Sequence, residues 1–139
     1  MRTTHTSPAL AVLVAMCLWA LPLKAQQGTH SVKLLTPETA LVAAQAALAH
    51  CRKAGHQVAV AVVDRSGVLQ VLLRDRFAGA HTPEVATQKA WTSASFRMPT
   101  ASLANETQAG KPMSGLRSAR GVLAIGGGLA IEAGGSSLG

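Results

Sequence analysis

VAVAVVDRSGVLQVLLR, residues 58–74, is the stretch from which the fold can be read. Its first six residues are uninterruptedly apolar and four of them are valine, the pattern of a strand covered on both faces rather than half-exposed to water. Asp64-Arg65-Ser66-Gly67 then supplies turn chemistry, with the glycine where a positive φ is most needed. Residues 68–74 return as a second strand, so the stretch predicts an antiparallel hairpin.

Working outward, both flanks carry the same helix-start signature. Thr36-Pro37-Glu38 places a capping hydroxyl, a proline at the first helical position where its missing N–H costs nothing, and an acid in the first turn, favoured by the helix dipole. Leu41, Ala44, Leu48 and Cys51 follow at spacings of three and four, which puts them on one stripe, and Arg52, Lys53 and Gly55 suit the helix end. Thr82-Pro83-Glu84 repeats the signature, with Thr82 as the expected cap and a helix expected from Pro83 to about Phe96. Pro99-Thr100 interrupts it, and a short third helix is expected over residues 101–109. Nine of the 13 glycines lie in the last 30 residues. Residues 122–125 and 129–132 read as strand pieces between those glycines, with Gly126-Gly127-Gly128 as a tight turn. Ser136-Ser137-Leu138-Gly139 reads as the opening of a further strand. The order of helix, strand, strand, helix, helix, strand, strand describes an α+β domain on an antiparallel sheet.

Before this domain the texture differs. Residues 9–21 are apolar without exception, preceded by Arg2 and closed by Pro22. Thirteen residues suit the apolar region of a secretory signal, whereas a membrane span needs about 20. Residues 1–25 are therefore expected to be a cleaved signal, residues 26–34 a flexible leader, and the product periplasmic or secreted, with no transmembrane segment left. Cleavage after Ala25 leaves 114 residues with 11 Lys+Arg against 6 Asp+Glu, a net charge of about +5. Those cations are spread along the chain, which excludes a nucleic-acid footprint and suits an anionic small molecule or a membrane surface. Cys51 alone survives cleavage, so the mature chain has no internal disulfide.

No nucleophile elbow, zinc-ligand spacing or phosphate loop is present. Gly126-Gly127-Gly128 lacks the Lys-Ser/Thr that would place a phosphate. Among the histidines, His81 stands apart because it precedes a helix N-terminus in a loop that also carries Arg76 and Phe77. A neutral imidazole there can take a metal, while helix amides and Arg76 can receive carboxylates. A solvent-exposed loop histidine beside an ordinary cap fits the same residues. Lys89 lies seven residues after Thr82, on nearly the same helix face.

These residues resemble those of the GlcG/HbpS-like haem-binding family. The resemblance rests on residues 58–67 (VAVAVVDRSG), residues 74–77, Lys89-Ala90, Phe96-Arg97-x-Pro99-Thr100, and residues 126–131 (GGGLAI). It implies one profilin-like α+β domain over residues 35–139, an antiparallel sheet flanked by helices, in a homo-oligomer. It also implies haem as ligand, in haem sensing, storage or handling. By that resemblance His81 or Thr82 contacts the iron, Arg76 and Lys89 meet the propionates, and Phe77 or Trp91 packs on the ring. Where the family has an Asp-Gly loop before the second helix, this chain has residues 75–81 (DRFAGAH). Against the family pattern, the last strand and terminal helix are expected to be missing. A haem-degrading or redox accessory enzyme and a cofactor-free oligomeric module remain the alternatives to non-enzymatic binding.

Overall fold

A computed structural model of the protein describes residues 28–139, and the expected export signal lies outside the described residues. Lys33–Gly139 forms one compact unit. It contains helix α1 (Pro37–Lys53), strands β1 (Ala59–Val63) and β2 (Leu69–Arg74), helices α2 (Thr82–Phe96) and α3 (Thr100–Glu106), a 3₁₀ turn at Ser114–Ser118, and short strands β3 (Glu132–Ala133) and β4 (Ser136–Ser137). The architecture is α+β.

The hairpin forms as its sequence requires. β1 and β2 pair antiparallel, from Ala59 opposite Arg74 to Val62 opposite Val71, with a bulge before Val63. Asp64 organises the turn: its Oδ1 accepts from the Ser66 amide at 2.8 Å and the Val68 amide at 3.0 Å, and Gly67 takes φ +82°. Only a residue without a side chain fits there, because a Cβ on Gly67 would lie 2.6 Å from the Trp91 ring.

The pleat sends alternate residues of each strand to opposite faces. Val60, Val62, Val71 and Leu73 pack against Leu35 and against Ala40 and Ala44 of α1. The small residues on α1 let the helix approach the sheet closely. The buried stripe is Ala40, Ala44 and Leu48, and the predicted Leu41 stands 40% exposed, one residue round the helix. α2 packs against β1 and β2 as well. It takes the face to which Ala59, Ala61 and Val63 point, so the hairpin is sandwiched between α1 and α2.

The caps divide. Thr36 caps α1 as predicted, accepting from the Thr39 amide at 3.3 Å. At α2 the cap position is His81, in helical conformation and without a capping side-chain bond. Thr82 is already in the first turn, because a Gly79–Thr82 turn draws it in: its amide and hydroxyl both donate to the Gly79 carbonyl, at 3.0 and 2.7 Å. α3 begins at Thr100 and ends at Glu106, earlier than predicted at both ends.

The glycine-rich tail departs furthest from expectation. Residues 122–131 form no strand among the described residues. Two of their amides find threonine hydroxyls: the Leu123 amide donates to Thr92 Oγ1 at 2.9 Å, and the Gly128 amide to Thr100 Oγ1 at 2.8 Å. The residues expected to open a strand do so at Ser136–Ser137, which closes a short hairpin with Glu132 opposite Ser137 and Ala133 opposite Ser136, across Gly134-Gly135.

Gly128 is wedged between elements. A Cβ there would lie 2.5 Å from the Lys89 carbonyl oxygen and 2.8 Å from the Thr100 methyl. Gly128→Ala should therefore destabilise the fold by about 1–3 kcal/mol through overpacking. Gly115→Ala, where nothing lies within 4 Å and φ is not positive, should be close to neutral. Urea denaturation midpoints of the two variants check this.

Candidate functional site

The loop between β2 and α2 carries most of the predicted chemistry, and one buried carboxylate holds it. Asp75, 2% exposed, accepts from Arg52 Nε at 2.6 Å and Nη2 at 2.5 Å through Oδ1, and from the Val58 amide at 3.2 Å through Oδ2. Its backbone donates to the Val58 carbonyl and accepts from the Ala78 amide. Burial by itself would raise the Asp75 carboxyl. The hydrogen bonds from Arg52 and Val58 and the guanidinium's charge outweigh it and hold the carboxyl below its ordinary value of 3.8. Asp75 thus ties the end of α1 and the start of β1 to the loop. Arg74 adds a second tie, its guanidinium donating to the Ala78 carbonyl.

Upon this anchored base the loop presents Arg76, Phe77 and His81 to solvent. Phe77 is 77% exposed, more than any other large apolar side chain among the described residues. The His81 imidazole lies over Gly79, where a Cβ would come within 2.7 Å of its Cε1.

Behind the loop, two adjoining cavities run between α2 and β1. The smaller, about 170 Å³, is lined by Gln57, Val58, Ala59, Thr82, Val85, Ala86 and Lys89. The larger, about 260 Å³, shares Val58, Ala59, Ala86 and Lys89 with it and extends past Cys51 and Ala90 to Gly127, Gly128 and Leu129.

The structure therefore divides the predicted residues. Thr82 and Lys89 meet in one cavity, as their spacing on α2 implied. His81, Arg76 and Phe77 line neither cavity and share the exposed loop. The Lys89 ammonium is already engaged, donating to the Gly126 carbonyl at 3.2 Å. The half-buried Trp91 indole lies across Gly67 and Gly121, beside the hairpin turn. Sequence reasoning missed Gln57, which carries no motif, and the Asp75–Arg52 pair, whose partners are 23 residues apart. An ion pair between residues so far apart leaves no periodic trace; the one hint was an acid directly following a strand.

The residues on the loop match a haem group in kind: an imidazole with no hydrogen-bond partner among the described residues, an exposed aromatic ring, and a guanidinium. Either cavity alone is smaller than the roughly 300–1,000 Å³ usual for ligand pockets. A tetrapyrrole would therefore lie against this corner rather than inside it.

Comparison with known proteins agrees with the fold. The family model for haem-degrading proteins of the HbpS-like type matches residues 35–139, and the chain belongs to the HbpS-like family. A double mutant of Streptomyces reticuli HbpS is 36% identical, with TM-score 0.74 over 85% of this chain and 80% of that one. PduOC, solved as a haem complex, is 28% identical with TM-score 0.68 over 76% and 78% of the two chains. Klebsiella pneumoniae protein ORFY, 23% identical with TM-score 0.72 over 80% and 78%, shares the fold. Comparison with curated proteins gives no match.

The depressed Asp75 carboxyl has a pH signature. A lowered folded value contributes stability above the unfolded value of about 3.9, lost as pH falls through the folded one. Denaturation midpoints measured from pH 6 down to pH 3 should fall at the acid end for the wild type. Asp75→Asn should be less stable at pH 6 and show a flatter acid limb.

Proposed function

We propose that the protein binds haem on the loop leading into α2 and handles it without consuming it. The observation that carries this reading is the grouping of His81, Phe77 and Arg76 on one exposed loop braced by Asp75. Haem, when bound, would supply an iron centre that takes a nitrogen or oxygen ligand, and two carboxylates that take cations. His81 offers the nitrogen, and Thr82, one residue on, an oxygen at the cavity mouth. Phe77 covers the apolar ring and so recovers the cost of its own exposure. Arg76 pairs with a propionate, and Lys89 can do so on releasing Gly126. Membership of the HbpS-like family and the PduOC–haem complex support the ligand class.

Titration of the protein with haemin should give a shifted Soret band. His81→Ala should weaken binding at least about tenfold or alter the band, as loss of one ligand bond implies. An unshifted band at micromolar protein would overturn the reading.

The family's description as haem-degrading favours a second reading, in which bound haem is turned over. Ascorbate added to the complex, with and without catalase, separates the two: a stable Soret band supports binding alone, and bleaching with iron release in the presence of catalase supports turnover.

We further propose export through residues 1–25 and homo-oligomeric assembly. The 13-residue apolar run, preceded by Arg2 and closed by Pro22, supports export. Expression from the full gene should yield a periplasmic or secreted product whose N-terminal sequence begins at Gln26. Retention in the cytoplasm with Met1 intact would refute it.

A further inference from the structure

Helix α1 carries two stripes with opposite fates. Ala40, Ala44 and Leu48 are buried. At 3.6 residues per turn, Glu38, Val42, Ala46, Ala49 and Lys53 fall within about 80° of arc on the other side of the helix. All five are exposed, Val42 at 65%. This face is set by the sequence of α1 and by its packing on the hairpin, since the side of a helix turned from its sheet points outward.

The outward side of a surface helix is ordinarily polar. Here charge stands only at the two ends, with Gln45 beside an apolar middle. Alanine on a helix surface follows from its helix propensity. Val42 does not: its branched side chain loses rotamer freedom on a helix, and within one chain it buries little in return. Leu41 next to it is 40% exposed. The helix dipole accounts for the acid at one end and the base at the other. It does not account for the apolar face between them. Glu38 and Lys53 are roughly 22 Å apart along the axis and so cannot meet each other. Neither has an ion-pair partner among the described residues.

A second copy of α1, turned end for end, fits these features together. About a two-fold axis between Gln45 and Ala46, Glu38 faces the second copy's Lys53 and Val42 faces its Ala49, each relation occurring twice. The alanines let the helix axes approach to about 8 Å. A parallel arrangement would set Glu38 on Glu38 and Lys53 on Lys53. A lipid surface calls for cations along the flanks of the apolar face, and here they stand at one end alone.

We propose that α1 pairs antiparallel with α1 of a second copy through Glu38, Val42, Ala46, Ala49 and Lys53. The proposal rests on the homo-oligomeric reading above and names the surface. One helix pair buries less than the roughly 1,200–2,000 Å² of a standard interface, so the contact is weak.

Sedimentation velocity of the purified protein from about 1 to about 500 μM should show reversible self-association. Val42→Lys should weaken it at least about tenfold, by setting an ammonium in the apolar middle and near the second copy's Lys53. Its circular dichroism should be unchanged, because the new lysine lies one turn after Glu38. Val68→Lys, at a valine 58% exposed beside the hairpin turn, should leave association unchanged. Glu38→Lys and Lys53→Glu should each weaken it about fivefold, and the two together should restore it, since only an antiparallel pair re-forms the contact. An assembled wild type that Val42→Lys leaves assembled would overturn this surface and leave the oligomeric reading standing. A wild type monomeric at every concentration would overturn both. Single reversals without effect, or a double variant that folds but is not rescued, would overturn the antiparallel pairing. Binding of a monomeric wild type to phosphatidylglycerol vesicles, lost in Val42→Lys, would overturn the proposal in favour of a lipid surface.

Discussion

Everything on the functional side of this protein hangs from the Asp75 carboxylate. Three pieces of chain meet at it: Arg52 from the end of α1, Val58 from the start of β1, and the loop that leads into α2. A carboxylate buried to this degree is costly unless its lone pairs are satisfied. Two donors from Arg52 and one from the backbone satisfy it, and the guanidinium stays half in water, which lowers the cost of bringing the two charges together. The loop can therefore be held in place at its base while its outer residues remain exposed. That division lets Phe77 and His81 stand in solvent without the loop losing its shape.

A second set of contacts holds the far side of the domain. Thr100 and Gly128 exchange backbone and hydroxyl bonds, Lys89 reaches the Gly126 carbonyl, and Thr92 takes the Leu123 amide. The glycine-rich tail is thus fixed to α2 and α3 by individual polar anchors and not by a sheet ladder. The two cavities lie side by side, sharing Ala86 and Lys89 as a common wall.

Much of the fold was legible in the residues, for local reasons. The turn at Asp64–Gly67 is written in an Asx side chain and a glycine, and α1 in a threonine cap followed by proline. The position of α2 was legible too, although its cap was misplaced by one residue, because the Gly79–Thr82 turn competes for the same hydroxyl. Of the strand pieces expected over residues 122–125 and 129–132, the first forms no strand and the second only at Glu132: β-branched residues between glycines suit a strand, but a strand also needs a neighbour, and the Leu123 amide is bound to the Thr92 hydroxyl instead. Of the candidate site, Thr82 and Lys89 met because helical spacing guarantees it. Trp91 could not be assigned from sequence, since an aromatic residue on a helix serves a ligand or a turn equally well until its opposite face is known.

By itself the sequence determined the hairpin, the two long helices and the concentration of His81, Phe77 and Arg76 in one loop, because turn chemistry, capping and periodicity act over a few residues. Only the tertiary structure decided which charges pair and which aromatic ring is exposed. Those features depend on contacts between residues 20 to 40 positions apart, such as Arg52 with Asp75 and Lys89 with Gly126. Their free energy comes from desolvation and close approach, which no local pattern of residues records.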